Sequence, residues 1–150
     1  MILNRQRRVP IQPAGLSRFL ARVRRELQLG RREVTICLMN DAEIAGLNSR
    51  FRGKRKPTDV LSFPAEALNS NAGNGRHRPA KRASGNYLGD IAISPAAARR
   101  NARRYGRTLD EELRVLMLHG VLHLLGYDHE ADDGQMERTE ARLRRRLGLA

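Results

Sequence analysis

The segment TLDEELRVLMLHGVLHLLGYDH, Thr108 to His129, constrains the fold more than any other part of the chain. Thr108 and Glu111 stand at capping-box spacing. Leu109, Leu113, Leu116, Met117, Val121 and Leu124 follow at helical intervals and predict a strongly apolar helix to about Leu125. Gly126 is placed to end that helix in a left-handed cap.

The other elements read from the same kinds of signal. Residues 14–29 put Leu16, Phe19, Leu20, Val23 and Leu27 on one helical face, with arginines on the other and Gly30 at the stop. Residues 33–39, EVTICLM, alternate and are rich in β-branched side chains, so a strand is expected. Asn40 and Glu43 resemble a second capping box, opening a helix that buries Ile44, Leu47 and Phe51. TDVLSF (58–63), between Pro57 and Pro64, and YLGDIAI (87–93) are two further strands, and a short one is expected near Ile2–Leu3. Ser94-Pro95 is an N-cap and N1 pair for a helix over 95–105. A last helix, about 132–147, turns Met136, Leu143 and Leu147 inward and Arg142, Arg144, Arg145 and Arg146 mostly outward. The expected fold is α+β: a single domain over residues 1–150, with a small mixed sheet of three to four strands covered by about five helices. Residues 66–86 are rich in Gly, Asn, Ser and Arg, and are read as a mobile basic loop in which His77 is a solvated residue.

Cys37 is the only cysteine. No disulfide can form within the chain, and its place in an apolar run makes it a core residue. The first residues, MILNRQRRVP, lack the apolar stretch of a signal peptide, and no run reaches transmembrane length. The expected location is cytoplasmic, with no membrane partner.

Lysine plus arginine number 29 against 16 aspartate plus glutamate, a net charge of +13. Only Lys54, Lys56 and Lys81 are lysines, so nearly all of the excess is the forked guanidinium suited to phosphate. Such an excess predicts attraction to a polyanion, most often nucleic acid. With 4% aromatics and no tryptophan, base stacking is not the expected binding device.

His119, His123 and His129 fall within eleven residues of the chain. The first two, at i and i+4, project from one helical face. After the Gly126 reversal the third can return over that face. Three neutral nitrogens with a fourth position open are what a catalytic zinc requires, and one zinc per chain is expected. The spacing H-x-x-x-H-x-x-G-x-x-H is that of the metzincin proteases. Their general base is a glutamate beside the first histidine, and here that residue is Gly120. A zinc peptidase is therefore the weaker alternative.

Residues 51–64, FRGKRKPTDVLSFP, gather Arg52, Lys54, Arg55 and Lys56 in a basic loop able to wrap a phosphate. A metal-activated water beside an arginine suits hydrolysis of a phosphodiester.

HGVLHLLGYDH, together with FRGKRKPTDVLSFP, LGDIAIS and Leu47-Asn48, resembles the bacterial YbeY family of endoribonucleases, the rRNA maturation factors. The resemblance runs from about Val34 to His129 and preserves the order of the four motifs. It implies a single-domain α+β fold with one zinc held by His119, His123 and His129. It also implies single-strand-specific cleavage in maturation of the small-subunit rRNA 3′ end and in ribosome quality control. The family's important arginine falls on Arg52. The implied partners are rRNA and the small ribosomal subunit, with a ribosomal protein or assembly GTPase as further candidates and no DNA. Arg55 stands where relatives usually carry an acidic residue, and the 66–86 loop is long. The alternative to an endoribonuclease is an RNA-binding ribosome assembly factor whose metal is mainly structural.

Overall fold

A computed structural model describes residues 1–52, 58–65, 86–127 and 133–149, with the side chain of Arg52 outside that description. The element order is β1 (Ile2–Asn4), α1 (Pro13–Glu26), β2 (Glu33–Leu38), α2 (Asp41–Arg52), β3 (Val60–Pro64), β4 (Tyr87–Ile93), α3 (Pro95–Tyr105), α4 (Leu109–Leu124) and α5 (Gln135–Arg146). The expected α+β class, four strands and five helices are all present among the described residues. Residues 66–85 of the expected basic loop, with His77, lie outside them.

The strands form one sheet in the order β1-β2-β4-β3. β1 and β4 run parallel to β2, whereas β3 is antiparallel to β4, so the sheet is mixed. Alternation along the strands separates two cores. Val34, Ile36, Leu38, Ile91 and Ile93 face a large cluster built with Leu16, Phe19 and Val23 of α1, Leu113, Met117 and Val121 of α4, and Met136 and Leu143 of α5. Cys37, Leu61, Phe63 and Ala92 face the opposite way, against Ile44 and Leu47 of α2, with Phe51 packed at the margin. The Phe51 and Phe63 rings meet edge to face at 5.1 Å. Cys37 is thus the core residue expected, and burial pushes its thiol pKa up.

Several boundaries differ from those read in the sequence, each for a local reason. α1 stops at Glu26, because Gln28 turns left-handed and the Gln28 and Leu29 amides fold back onto the Arg25 and Arg24 carbonyls, swinging Leu29 into the core. β3 begins at Val60, and Asp59 just before it continues the register opposite Ser94 while its side chain ties it to α3. Its carbonyl accepts from the Ser94 amide at 3.0 Å and its carboxylate from Asn101 Nδ2 at 3.0 Å. Pro64 does not close β3 from outside but is its last paired residue, opposite Gly89, which an edge strand tolerates. α5 begins at Gln135, after Gly134 in a left-handed conformation. No described helix is long and apolar enough to cross a membrane.

Candidate metal centre

α4 is the helix that positions the site. The Thr108 hydroxyl accepts from the Glu111 amide at 3.1 Å while the Glu111 carboxylate accepts from the Thr108 amide at 2.9 Å, so the expected capping box is complete. Leu113, Met117, Leu118, Val121 and Leu122 are almost wholly buried. At the far end the Gly126 amide bonds the His123 carbonyl at 3.0 Å and the Tyr127 amide bonds the Leu122 carbonyl at 3.1 Å. This bond pair is a Schellman motif, with Gly126 at φ 97° in the conformation that an L side chain resists. The helix is thereby stopped, and the chain reversed, immediately after its histidines.

His119 and His123 sit on the half-buried side of α4, with ring centroids 4.6 Å apart and planes at 73°. Their Nε2 atoms approach to 3.1 Å. Two ring nitrogens at this distance fit a common cation, because zinc–nitrogen bonds of about 2.0–2.1 Å at a tetrahedral angle place two ligand nitrogens roughly 3.3 Å apart. His119 Nδ1 lies 3.0 Å from Glu140 Oε1 on α5. The side chains of His119 and Glu140 are 26% and 20% exposed, so the contact is sheltered without being sealed. Burial would raise the Glu140 carboxyl pKa. Burial is the largest single influence, but the hydrogen bond from His119 and the charges of His119, Arg144 and His123 together outweigh it, and the carboxyl is held below its usual range.

The residue that replaces the peptidase glutamate has a packing role. Gly120 is buried against the sheet, not on the histidine face. A Cβ there would stand 2.8 Å from Ile91 Cγ2 and 2.9 Å from Ile91 Cδ1. Its carbonyl accepts from the Ser62 hydroxyl of β3 at 3.0 Å. α4 therefore lies close on β4 because position 120 has no side chain, and a glutamate there would enter the core.

The structure thus brings two sequence-predicted ligands together. His129 lies outside the described residues, as do Lys54, Arg55 and Lys56, and Arg52 closes α2 with its backbone. Among the described residues no three metal-capable side chains form a cluster. Asp59 serves the fold through Ser94 and Asn101. Glu140 was missed in the sequence, although one signal pointed to it. Met136, Leu143 and Leu147 mark the inner face of α5, and Glu140, four residues after Met136, is an acidic residue on that same face.

The family profile described as endoribonuclease YbeY matches residues 1–148. An endoribonuclease YbeY of Koribacter versatilis is 43% identical over 149 residues, covering 99% of this chain and 86% of the relative. One from Solibacter usitatus is 42% identical over 145 residues, covering 95% and 86%. A protein of Thermotoga maritima solved in solution matches with a TM-score of 0.61 at 27% identity, covering 98% of this chain and 89% of the other. Sequence and fold agree along essentially the whole length, and the chain belongs to the endoribonuclease YbeY family.

Proposed function

We propose that this chain is a zinc-dependent endoribonuclease that hydrolyses single-stranded RNA, acting in the cytoplasm on the 3′ end of small-subunit rRNA. The observation that carries the reading is the pair of Nε2 atoms 3.1 Å apart on one half-buried face of α4. One zinc would be held by His119, His123 and His129, leaving a position open to solvent and substrate. When bound, zinc supplies Lewis acidity and a water whose pKa is brought toward neutrality.

The remaining roles belong to the chain. His119 and His123 present ring nitrogens from one face and stay stiff, because α4 is anchored in the core and capped at both ends. Arginine side chains hold the RNA backbone. Arg99, Arg100, Arg103 and Arg104 are all exposed on α3, and Arg138, Arg142 and Arg145 are exposed on α5. Arg52, with Lys54, Arg55 and Lys56 after it, is proposed to meet the phosphate under attack, its fork matching charge that develops on the oxygens. Position 120 supplies no base, because it faces Ile91, and this argues against peptide hydrolysis. Binding to the small ribosomal subunit, and to a ribosomal protein or assembly GTPase, follows from the family reading and is part of this proposal.

The test is single-turnover cleavage of a single-stranded rRNA fragment beside a binding titration. His123→Ala should abolish cleavage and leave RNA affinity nearly unchanged. Arg52→Lys should lower the cleavage rate far more than affinity, the pattern of an interaction made mainly in the transition state. Cleavage that survives in a folded His123→Ala protein would favour an RNA-binding assembly factor with a structural metal.

A further inference from the structure

We propose that Glu140 is a positioning residue of the metal centre. Its carboxylate accepts the Nδ1 proton of His119, and this fixes that imidazole in the tautomer whose Nε2 lone pair faces His123. The inference rests on the metal reading above and extends it to α5, a helix to which the histidine motif gives no role.

A neutral imidazole carries one N–H, on either nitrogen, and exchanges between the two forms. In the wrong form His119 would aim a proton at the space between the two Nε2 atoms, and the site would be blocked to a cation. An ionised carboxylate has no proton and can only accept, so a Glu140 oxygen 3.0 Å from Nδ1 requires the proton on Nδ1. Nε2 then carries the lone pair, and it is Nε2 that stands 3.1 Å from His123 Nε2. A carboxylate behind a histidine also raises the basicity of the opposite nitrogen, which strengthens its bond to a metal.

The placement of Glu140 is fixed by packing. Met136, one turn before it, and Leu143, one turn after it, are buried against α1 and α4, leaving 1% and 3% of their surfaces exposed. α5 is strongly basic, with Glu137 its other acidic residue. Glu137 is exposed, whereas Glu140 is turned inward among basic neighbours. A purely solubilising acid would have no reason to occupy that inner position.

The experiment uses two readouts on the full chain. Nitrogen-15 chemical shifts of the His119 ring in the zinc-free protein report the tautomer. Competition with a chromophoric chelator reports zinc affinity. The wild type should hold His119 with the proton on Nδ1. Glu140→Ala should mix the tautomers and weaken zinc binding by about 10–100-fold, the range for loss of such a partner. Glu140→Gln keeps an acceptor without the charge and should fall between the two. Leu143→Ala loosens α5 but leaves the carboxylate, so it should lower stability without changing the tautomer. The inference is overturned if His119 carries its proton on Nε2 in the wild type. It is equally overturned if folded Glu140→Ala and Glu140→Gln bind zinc within about two-fold of wild type, against the expected range. If the wild type shows the Nδ1–H form but binds no zinc, the metal reading fails and the orienting contact stands.

Discussion

Replacing Gly120 with alanine sets two effects against each other, and the structure decides the sign. In an exposed helix the change would stabilise by about 1 kcal/mol, because alanine restricts the unfolded chain and favours the helix. Here the new Cβ meets Ile91 Cγ2 at 2.8 Å, Cδ1 at 2.9 Å and Cγ1 at 3.2 Å. Carbon atoms in good contact stand about 3.5–4.0 Å apart, so α4 or the Ile91 side chain must move by several tenths of an ångström. Ile91 is fully buried on a strand paired on both sides, and has little room to yield. Overpacking of this kind costs about 1–3 kcal/mol, which leaves a net loss of about 1 kcal/mol. With a urea slope of about 2 kcal/mol/M the unfolding midpoint should fall by about 0.5 M. A double-mutant cycle isolates the cause. Ile91→Ala alone should cost about 2–5 kcal/mol by leaving a cavity. In Gly120→Ala/Ile91→Ala the new methyl occupies part of that space, so the double variant should be more stable than the sum by at least 0.5 kcal/mol, the smallest coupling expected of contacting residues. A Gly120→Ala protein more stable than wild type, or an additive cycle, would refute the claim that glycine is there for the close approach of α4 to β4.

Other substitutions probe the supports of the same helix. Thr108→Ala removes one half of the capping box and should cost about 1 kcal/mol, a fall in Tm of about 3 °C by thermal unfolding. Gly126→Ala must hold an L side chain at φ 97° and should cost at least about 1–2 kcal/mol in urea unfolding, with zinc affinity falling too because the turn leads on to His129. Asp41 gives a pH-dependent test. Burial would raise its carboxyl, but bonds from Ser94 Oγ at 2.6 Å and Arg100 at 3.1 Å outweigh this and hold its pKa below the ordinary 3.8. A folded pKa below the unfolded one adds stability that is present above about pH 4 and lost as the pH falls through the folded value. The carboxylate is a third exposed, so the effect should stay under about 1 kcal/mol. Asp41→Asn should accordingly lower stability at neutral pH by less than about 1 kcal/mol, flatten the acid limb of a stability-versus-pH curve, and converge with wild type at a pH below the folded value.

What could be read from the sequence was whatever a local rule controls. The i,i+4 histidines, the Thr108–Glu111 box and the Gly126 cap each depend on a few neighbouring residues, and each stands in the structure as expected. The segment YLGDIAI marked β4 to the residue. Features set by tertiary packing were hidden. Nothing local says that β4 lies between β2 and β3, or that β3 runs against it across a long connection. Asp59 read only as a strand residue, and the bond its carboxylate accepts from Asn101 appears only once α3 is in place. Gly120 read as a missing base, and its role emerges when Ile91 is seen beneath it. Glu140 is the clearest case, because its meaning depends on how α5 crosses α4 and not on its sequence neighbours.

The central claim is that the histidine face of α4 holds a zinc that is needed to cut RNA. Its most direct test is to strip the purified protein with a chelator and return zinc in measured amounts, following cleavage of a single-stranded rRNA fragment and the bound metal together. The account predicts that stripped protein still binds the RNA but does not cut it, and that cleavage rises linearly and saturates at about one zinc per chain, as a three-ligand site requires. Full-rate cleavage by demonstrably zinc-free protein would contradict it.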